Sequence, residues 1–219
     1  MTIDLYYMGG CPPCRAVLFV VKALGVRVNL KKVNLREKEH LTPEYIKINP
    51  QHTVPTLIDD DLILSESRAI ITYLANQYGK DDGLYPKDIR KRAVVDQRLY
   101  FDASTLYARY TEYYFPHYFA GAPLDPMRLN KLKDAYVVFD SILDKSKFVT
   151  GDDLTLADFS FLASVSAAEI SGFDISGYPN VVRWYEHVKT VTPGYKEDEA
   201  NRESFKHVIL QMLQDHLKK

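Results

Sequence analysis

Cysteine is scarce: the 219-residue chain has two, Cys11 and Cys14, three positions apart. That excludes a secreted disulfide framework and points to a reducing compartment. A structural zinc site would need two further ligands, and His40, His52, His117, His187, His207 and His216 show no paired ligand spacing, so no metal is expected. Charge of one sign is also missing. With 28 Lys/Arg against 29 Asp/Glu, and with the basic run from Lys31 to His40 interrupted by Glu37 and Glu39, a solvated face is expected there and no nucleic-acid partner. Long apolar runs are absent too. The longest, Ala16 to Val21, is too short to span a bilayer, and the acidic Asp4 with no basic flank is unlike a signal peptide, so no membrane partner and a soluble, cytoplasmic protein are expected.

What is present is a normal globular fraction of hydrophobic residues, 46%, enough for a core without disulfides. The stretch from Ile3 to Arg15 organises the rest. Ile3 to Tyr7 is rich in β-formers, Gly9-Gly10 turns the chain, and Pro13 suits the first turn of a helix running to Leu24. A cysteine at a helix start meets unpaired N–H groups and the positive end of the helix dipole, which favour its thiolate. Cys11 stands just ahead of that helix and Cys14 within its first turn. For an arbitrary C-x-x-C, two small buried hydrophobes are an equally good reading.

The helix is apolar nearly all round, which fits cover on more than one side, and Gly25 suits its C-terminus. Val26, Val28 and Leu30 alternate with polar residues, the period of a half-buried strand, so the first elements form a right-handed βαβ unit with parallel strands. Thr42-Pro43 opens a short helix to Ile48. An irregular segment, Asn49 to Leu57, leads into strands at Thr56–Asp59 and Leu62–Leu64, joined by an acidic turn as a hairpin. Ser65-Glu66-Ser67-Arg68 then opens a helix to about Tyr78.

The order β-α-β, short α, β-β-α, with C-x-x-C after the first strand and a proline before the third, is that of the thioredoxin-like fold. The sequence resembles the cytosolic glutathione S-transferases, most closely the insect Delta class. The motif Asn-Pro-Gln-His-Thr-Val-Pro-Thr-Leu stands at Asn49 to Leu57, and Glu-Ser-Arg-Ala-Ile at Glu66 to Ile70. The resemblance implies an α/β thioredoxin-like N-terminal domain over 1–79, a linker over 80–87 and an all-α C-terminal domain over 88–219. It implies a homodimer that conjugates reduced glutathione, as co-substrate and with no cofactor, to small hydrophobic electrophiles.

By the same resemblance, Val54 before a cis Pro55 presents its backbone to the cysteinyl unit of glutathione. Glu66 takes the γ-glutamyl ammonium, Ser67 and the helix N-terminus a carboxylate, Arg68 adds charge, and His52 serves the glycyl end. Asp102 corresponds to a position that reaches glutathione from the neighbouring subunit. Singly, each has a bland alternative: a cap, a loop hydrogen bond or a surface ion pair.

The first family motif, Tyr-Tyr-x-Pro-Gly-Ser-x-Pro-Cys-Arg, carries a serine that donates to the glutathione sulfur; here the residue is Cys11. A thiol is a weaker donor and, once ionised, repels a second thiolate. Three chemistries stay open. Cys11 keeps its proton and donates; or it attacks mixed disulfides as a glutathione-dependent thiol oxidoreductase of thioltransferase or dehydroascorbate reductase type; or Tyr7, near the end of the first strand, is the donor. Cys14 reads as a packed core residue, with resolution of a mixed disulfide as its alternative. A non-catalytic binder of hydrophobic ligands is a further alternative.

Beyond Asp88 the pattern is helical throughout. One tyrosine-rich helix is expected from Asp88 to Tyr118, ended or kinked by Pro116. Family register places Tyr107, Tyr114, Phe115 and Phe119 in the electrophile pocket. Thr155 with Asp158 forms a capping box that opens a buried helix, a folding signal. Helices from Pro126 to Leu143, from Pro179 through Trp184, and at the C-terminus complete the chain.

Overall fold

The computed structural model describes residues 3–217. Its first part comprises β1 (Ile3–Tyr7), α1 (Pro12–Leu24), β2 (Val28–Lys32), a single 3-10 turn at Glu39–Leu41, α2 (Pro43–Ile48), β3 (Thr56–Asp59), β4 (Leu62–Leu64) and α3 (Ser67–Tyr78). The sheet runs β2-β1-β3-β4, with β1 and β2 parallel and the other pairs antiparallel. This is the thioredoxin-like arrangement that the order of elements suggested. Gly25 ends α1 in the left-handed conformation, φ 67°, donating its N–H back to the helix.

One strand departs from expectation. Leu30, expected on the buried face of β2, is 46% exposed. β2 is the sheet's edge, and Val26, Val28 and Leu30 look onto an open groove of about 360 Å³ beside Leu18, Val21 and Lys22 of α1.

The second part is all helical: α4 (Ile89–Phe101), a π turn at Asp102–Leu106, α5 (Tyr107–Ala120), α6 (Pro126–Ile142), α7 (Leu156–Ile170), α8 (Pro179–Val191) and α9 (Glu199–Leu217). None of the helices among the described residues is long and apolar enough to cross a membrane. The single helix expected from Asp88 to Tyr118 is in fact two. The break falls at the π turn, and Pro116 lies inside α5. Proline leaves the carbonyl four residues back without its helical donor, and here Arg128 Nη1 supplies one to the Glu112 carbonyl at 2.9 Å. Gly121, φ 65°, ends the helix instead.

α7 joins the two parts. It is buried on almost every side, and α1 packs on it as well as on α3, so both parts share one core. The capping box forms as expected, and Asp158 does more than cap. Its Oδ2 accepts from the Thr155 N–H at 2.9 Å, while Oδ1 accepts from the Val149 N–H at 3.0 Å and from Trp184 Nε1 at 2.9 Å. The start of α7 is thereby tied to α8.

Candidate functional site

Cys11 is the N-cap of α1. Its backbone is extended, its carbonyl accepts the Arg15 N–H at 3.0 Å, and Pro12 takes the first helical position. Gly10 precedes it at φ 83°, and a Cβ there would lie 2.7 Å from the backbone nitrogen of Phe205. Both demands are met by glycine alone, and they bring the start of α9 directly onto the cysteine loop. A buried ion pair holds that contact. Arg15, fully buried, donates through Nε (2.8 Å) and Nη2 (2.5 Å) to Asp198 Oδ2 and through Nη2 to Ser166 Oγ (3.1 Å).

Cys11 as a residue is 9% exposed, and its sulfur lies 3.9 Å from the Val54 carbonyl oxygen. The Cys14 thiol beside it, with the Cys14 backbone N–H and the charges of Arg15 and Arg68, lowers the Cys11 pKa in spite of burial. Cys14, with no exposed surface, is shifted upward by burial and by Cys11 itself. Both thiols are free.

The segment facing Cys11 is locked from beneath. The Asn49 amide donates to the Thr53 carbonyl (3.1 Å) and Thr56 Oγ1 (2.9 Å), and the Tyr45 hydroxyl donates to the same carbonyl at 2.7 Å. The Val54–Pro55 bond is cis. Among the described residues the Val54 N–H has no intramolecular acceptor, which leaves a short backbone edge open to an added strand.

At the N-terminus of α3, Glu66 is exposed at φ 66° and makes no side-chain cap, so its carboxylate is free to act outward. Non-glycine residues at positive φ cluster where a site needs them. Ser67 is buried and its hydroxyl accepts from Arg68 Nη1 at 2.9 Å. Arg68 pairs with Asp102 at 2.5 Å and lies 5.4 Å over the Tyr107 ring. Burial works against the Arg68 charge, but Asp102 outweighs it and raises the pKa above the ordinary value. His52, at φ 47°, is exposed, and its ring is 6.2 Å from His40. No site role was expected of His40. Among the described residues its buried Nδ1 has no partner, and burial followed by the proximity of His52 lowers its pKa.

Two family models match the chain, one for the glutathione S-transferase N-terminal domain over residues 5–82 and one for the C-terminal domain over residues 106–190. The structure of a delta-class glutathione transferase from Nilaparvata lugens is similar at a TM-score of 0.93 and 55% identity, over 96% of this chain and 99% of that one. The chain belongs to the glutathione S-transferase family. A glutathione transferase from Bombyx mori matches this family member at a TM-score of 0.90 and 42% identity, over 95% and 97% of the two chains. A glutathione transferase homolog from Drosophila mojavensis with bound glutathione matches at 0.90 and 35%, over 96% and 97%.

In this glutathione S-transferase the remaining expected site residues divide. Tyr107 is half-buried beside Arg68 and stacks on Tyr110 at 5.7 Å. Phe115 and Phe119 meet edge to face at 5.3 Å, with Phe119 61% exposed. Tyr114 is buried between Tyr110, Tyr113 and Tyr118, a core position rather than an open wall. The alternation of β1 puts Tyr7 on the face of Ile3 and Leu5, packed against the core, and no hydrogen bond joins its hydroxyl to Cys11 among the described residues.

Asp102 differs most from expectation. It is wholly buried, and its Oδ2 accepts from Arg68 and from Ser160 Oγ, both at 2.5 Å, so within this protomer it is the counter-ion of Arg68 and does not reach out to a neighbouring subunit. The π turn swings it inward; such turns widen a helix by one residue and re-aim a side chain. A cavity of about 790 Å³ between the 81–88 segment, α4 and residues 150–155 lies away from Cys11.

Proposed function

We propose that this glutathione transferase conjugates reduced glutathione to small hydrophobic electrophiles, as a cytoplasmic homodimer with a glutathione-binding part over 1–79 and a helical part over 88–219. The observation that carries the reading is the convergence, around one cysteine at a helix N-terminus, of an open backbone edge at Val54 and the uncapped α3 terminus with Glu66, Ser67 and Arg68.

Each group has a counterpart in the tripeptide. The cysteinyl backbone pairs with the Val54 N–H and carbonyl like an added strand. The γ-glutamyl ammonium meets Glu66, and its carboxylate meets the Ser67 hydroxyl and the α3 N–H groups, with Arg68 behind them. The glycyl carboxylate meets His52 and His40. The glutathione sulfur then lies against Cys11, where the α1 terminus and Arg15 favour its thiolate. That thiolate attacks the electrophilic carbon, a carbon–sulfur bond forms, and the leaving group departs with its electron pair. Tyr107, Phe115 and Phe119 offer an aromatic surface to the electrophile.

Free Cys11 and Cys14 thiols support a reducing compartment, and exposed Ile63, Ile89 and Tyr100 support a protomer contact. The test is the rate of conjugation of an aryl halide with glutathione, together with glutathione titration by calorimetry. Glu66→Ala should raise KM for glutathione at least about tenfold, the loss of one charge-assisted hydrogen bond. No rate above the uncatalysed one and no heat of glutathione binding would overturn the proposal.

A further inference from the structure

The loop between β2 and α2 touches two places at once. From Asn34 to Leu41 it is cross-linked to itself: the Asn34 N–H donates to Glu39 Oε2 at 2.6 Å, the Glu39 N–H returns to the Asn34 carbonyl at 3.2 Å, and the Arg36 N–H donates to Asn34 Oδ1 at 3.1 Å. Lys38, at φ 59°, closes the turn, so a shift at one side of the loop is carried to the other. His40 is on one side, with its ring 6.2 Å from that of His52 and a buried Nδ1 that has no partner among the described residues. Arg36 is on the other. Its Nη1 donates to Gln211 Oε1 and its Nη2 to Asp215 Oδ2 at 3.0 Å, both in the last turns of α9.

α9 is held unequally along its length. Its start is clamped by buried Arg15 and Asp198. Phe205, Ile209, Met212 and Leu213 follow at helical spacing and pack on the core. Its end is seated by two polar contacts: Arg36, from the first part of the chain, and the Tyr118 carbonyl of α5, which accepts from His216 Nε2 at 2.9 Å. Tyr118 stands in α5 between Phe115 and Phe119, the aromatic surface offered to the electrophile. Arg36 and Asp215 are 44% and 51% exposed, so their pairing is weak enough for a modest shift of the loop to strengthen or release it.

We propose that Arg36 is a positioning residue that couples the two substrates: glutathione held at His40 and His52 fixes the 34–41 loop, the loop seats the end of α9 against α5, and the seated helix improves binding of the hydrophobic partner beside Phe115 and Phe119. The proposal rests on the glutathione-site reading above. The coupling is reciprocal, so the hydrophobic ligand tightens glutathione by the same factor. An exposed ion pair bounds its own share of that factor at about fivefold. Salt removes this share, because the Debye length falls from about 30 Å at 0.01 M to about 3 Å at 1 M.

The decisive experiment is calorimetric titration of the full chain with dinitrotoluene, an inert isostere of a dinitroaryl chloride, with and without saturating glutathione. At low salt glutathione should tighten the aryl ligand in wild type, and the ratio of the two Kd values should exceed that in Arg36→Ala and in Asp215→Ala by about two- to fivefold. Coupling by direct contact between the two ligands persists in those variants and cancels in the comparison. Exchanging the charges, Arg36→Asp with Asp215→Arg, should recover the ratio that Arg36→Asp alone loses, which a merely loosened loop would not do. At about 1 M salt the wild-type ratio should fall to that of Arg36→Ala. Equal ratios in wild type and both alanine variants, or no recovery on charge exchange, would overturn the coupling role of Arg36 and leave the glutathione site standing. Absence of any heat of glutathione binding would remove the site reading and the coupling with it.

Discussion

Replacing Asp198 by alanine tests how α9 is held over the cysteine loop. Arg15 has no exposed surface, and among the described residues Asp198 is its only carboxylate partner, accepting two of its N–H groups; Ser166 takes a third contact and Nη1 has none. Removing the acid leaves a buried guanidinium without its counter-ion, which costs about 3–5 kcal/mol. Against a total stability on the order of 5–15 kcal/mol that is a large fraction. With a urea m-value of about 3 kcal/mol/M, the unfolding midpoint should fall by about 1–1.7 M.

The assay is equilibrium unfolding by circular dichroism for Asp198→Ala, Arg15→Met and the double variant Arg15→Met with Asp198→Leu. The double variant should recover most of the loss, because an apolar pair of similar volume restores packing without a buried charge. A cost below about 1 kcal/mol for Asp198→Ala, or a double variant no better than the single, would refute the reasoning.

Gly10→Ala should lower stability by about 1–3 kcal/mol and abolish conjugation, since the added methyl meets the Phe205 backbone at 2.7 Å; Gly25→Ala, with open space around it, should cost only about 1–2 kcal/mol on thermal melting and leave activity intact. Burial lifts the Asp158 pKa from 3.8 to about 6. Its folded-state value is above the unfolded one, so the stability linked to it is full below about pH 4 and is lost as the pH rises through 6. That change is worth about 3 kcal/mol, and it should vanish from the pH dependence of unfolding in Asp158→Asn, whatever the variant's absolute stability. Arg128→Ala should cost about 0.5–1.5 kcal/mol in the same unfolding assay by leaving the Glu112 carbonyl without its donor.

Local signals of the chain were strong where a residue acts through its own backbone. Thr42-Pro43, the hairpin at residues 56–64, Gly25 and the Thr155–Asp158 box all reappear in place, because a cap, a turn or a left-handed glycine depends on neighbours a few positions away. Signals that depend on distant partners were not legible. Pro116 reads as a helix end until Arg128 is seen to satisfy the freed carbonyl. Leu30 reads as buried until β2 proves to be an edge. Asp102 turns inward because Arg68 and Ser160, 34 and 58 positions away, require a counter-ion and an acceptor. His40 has no motif of its own; only the meeting of its loop with that of His52 marks it.

The clamp between Arg15 and Asp198 joins residues 183 positions apart. Chains are made from the N-terminus and domains tend to fold as they emerge. The strand, helix and cysteine loop can therefore assemble early in synthesis, while the helix that closes over Gly10 arrives almost last. Until then Gly10 lacks the Phe205 backbone that packs against it in the finished fold, and Arg15 lacks its counter-ion. Proteolytic clipping before residue 198 would remove both contacts from a mature molecule.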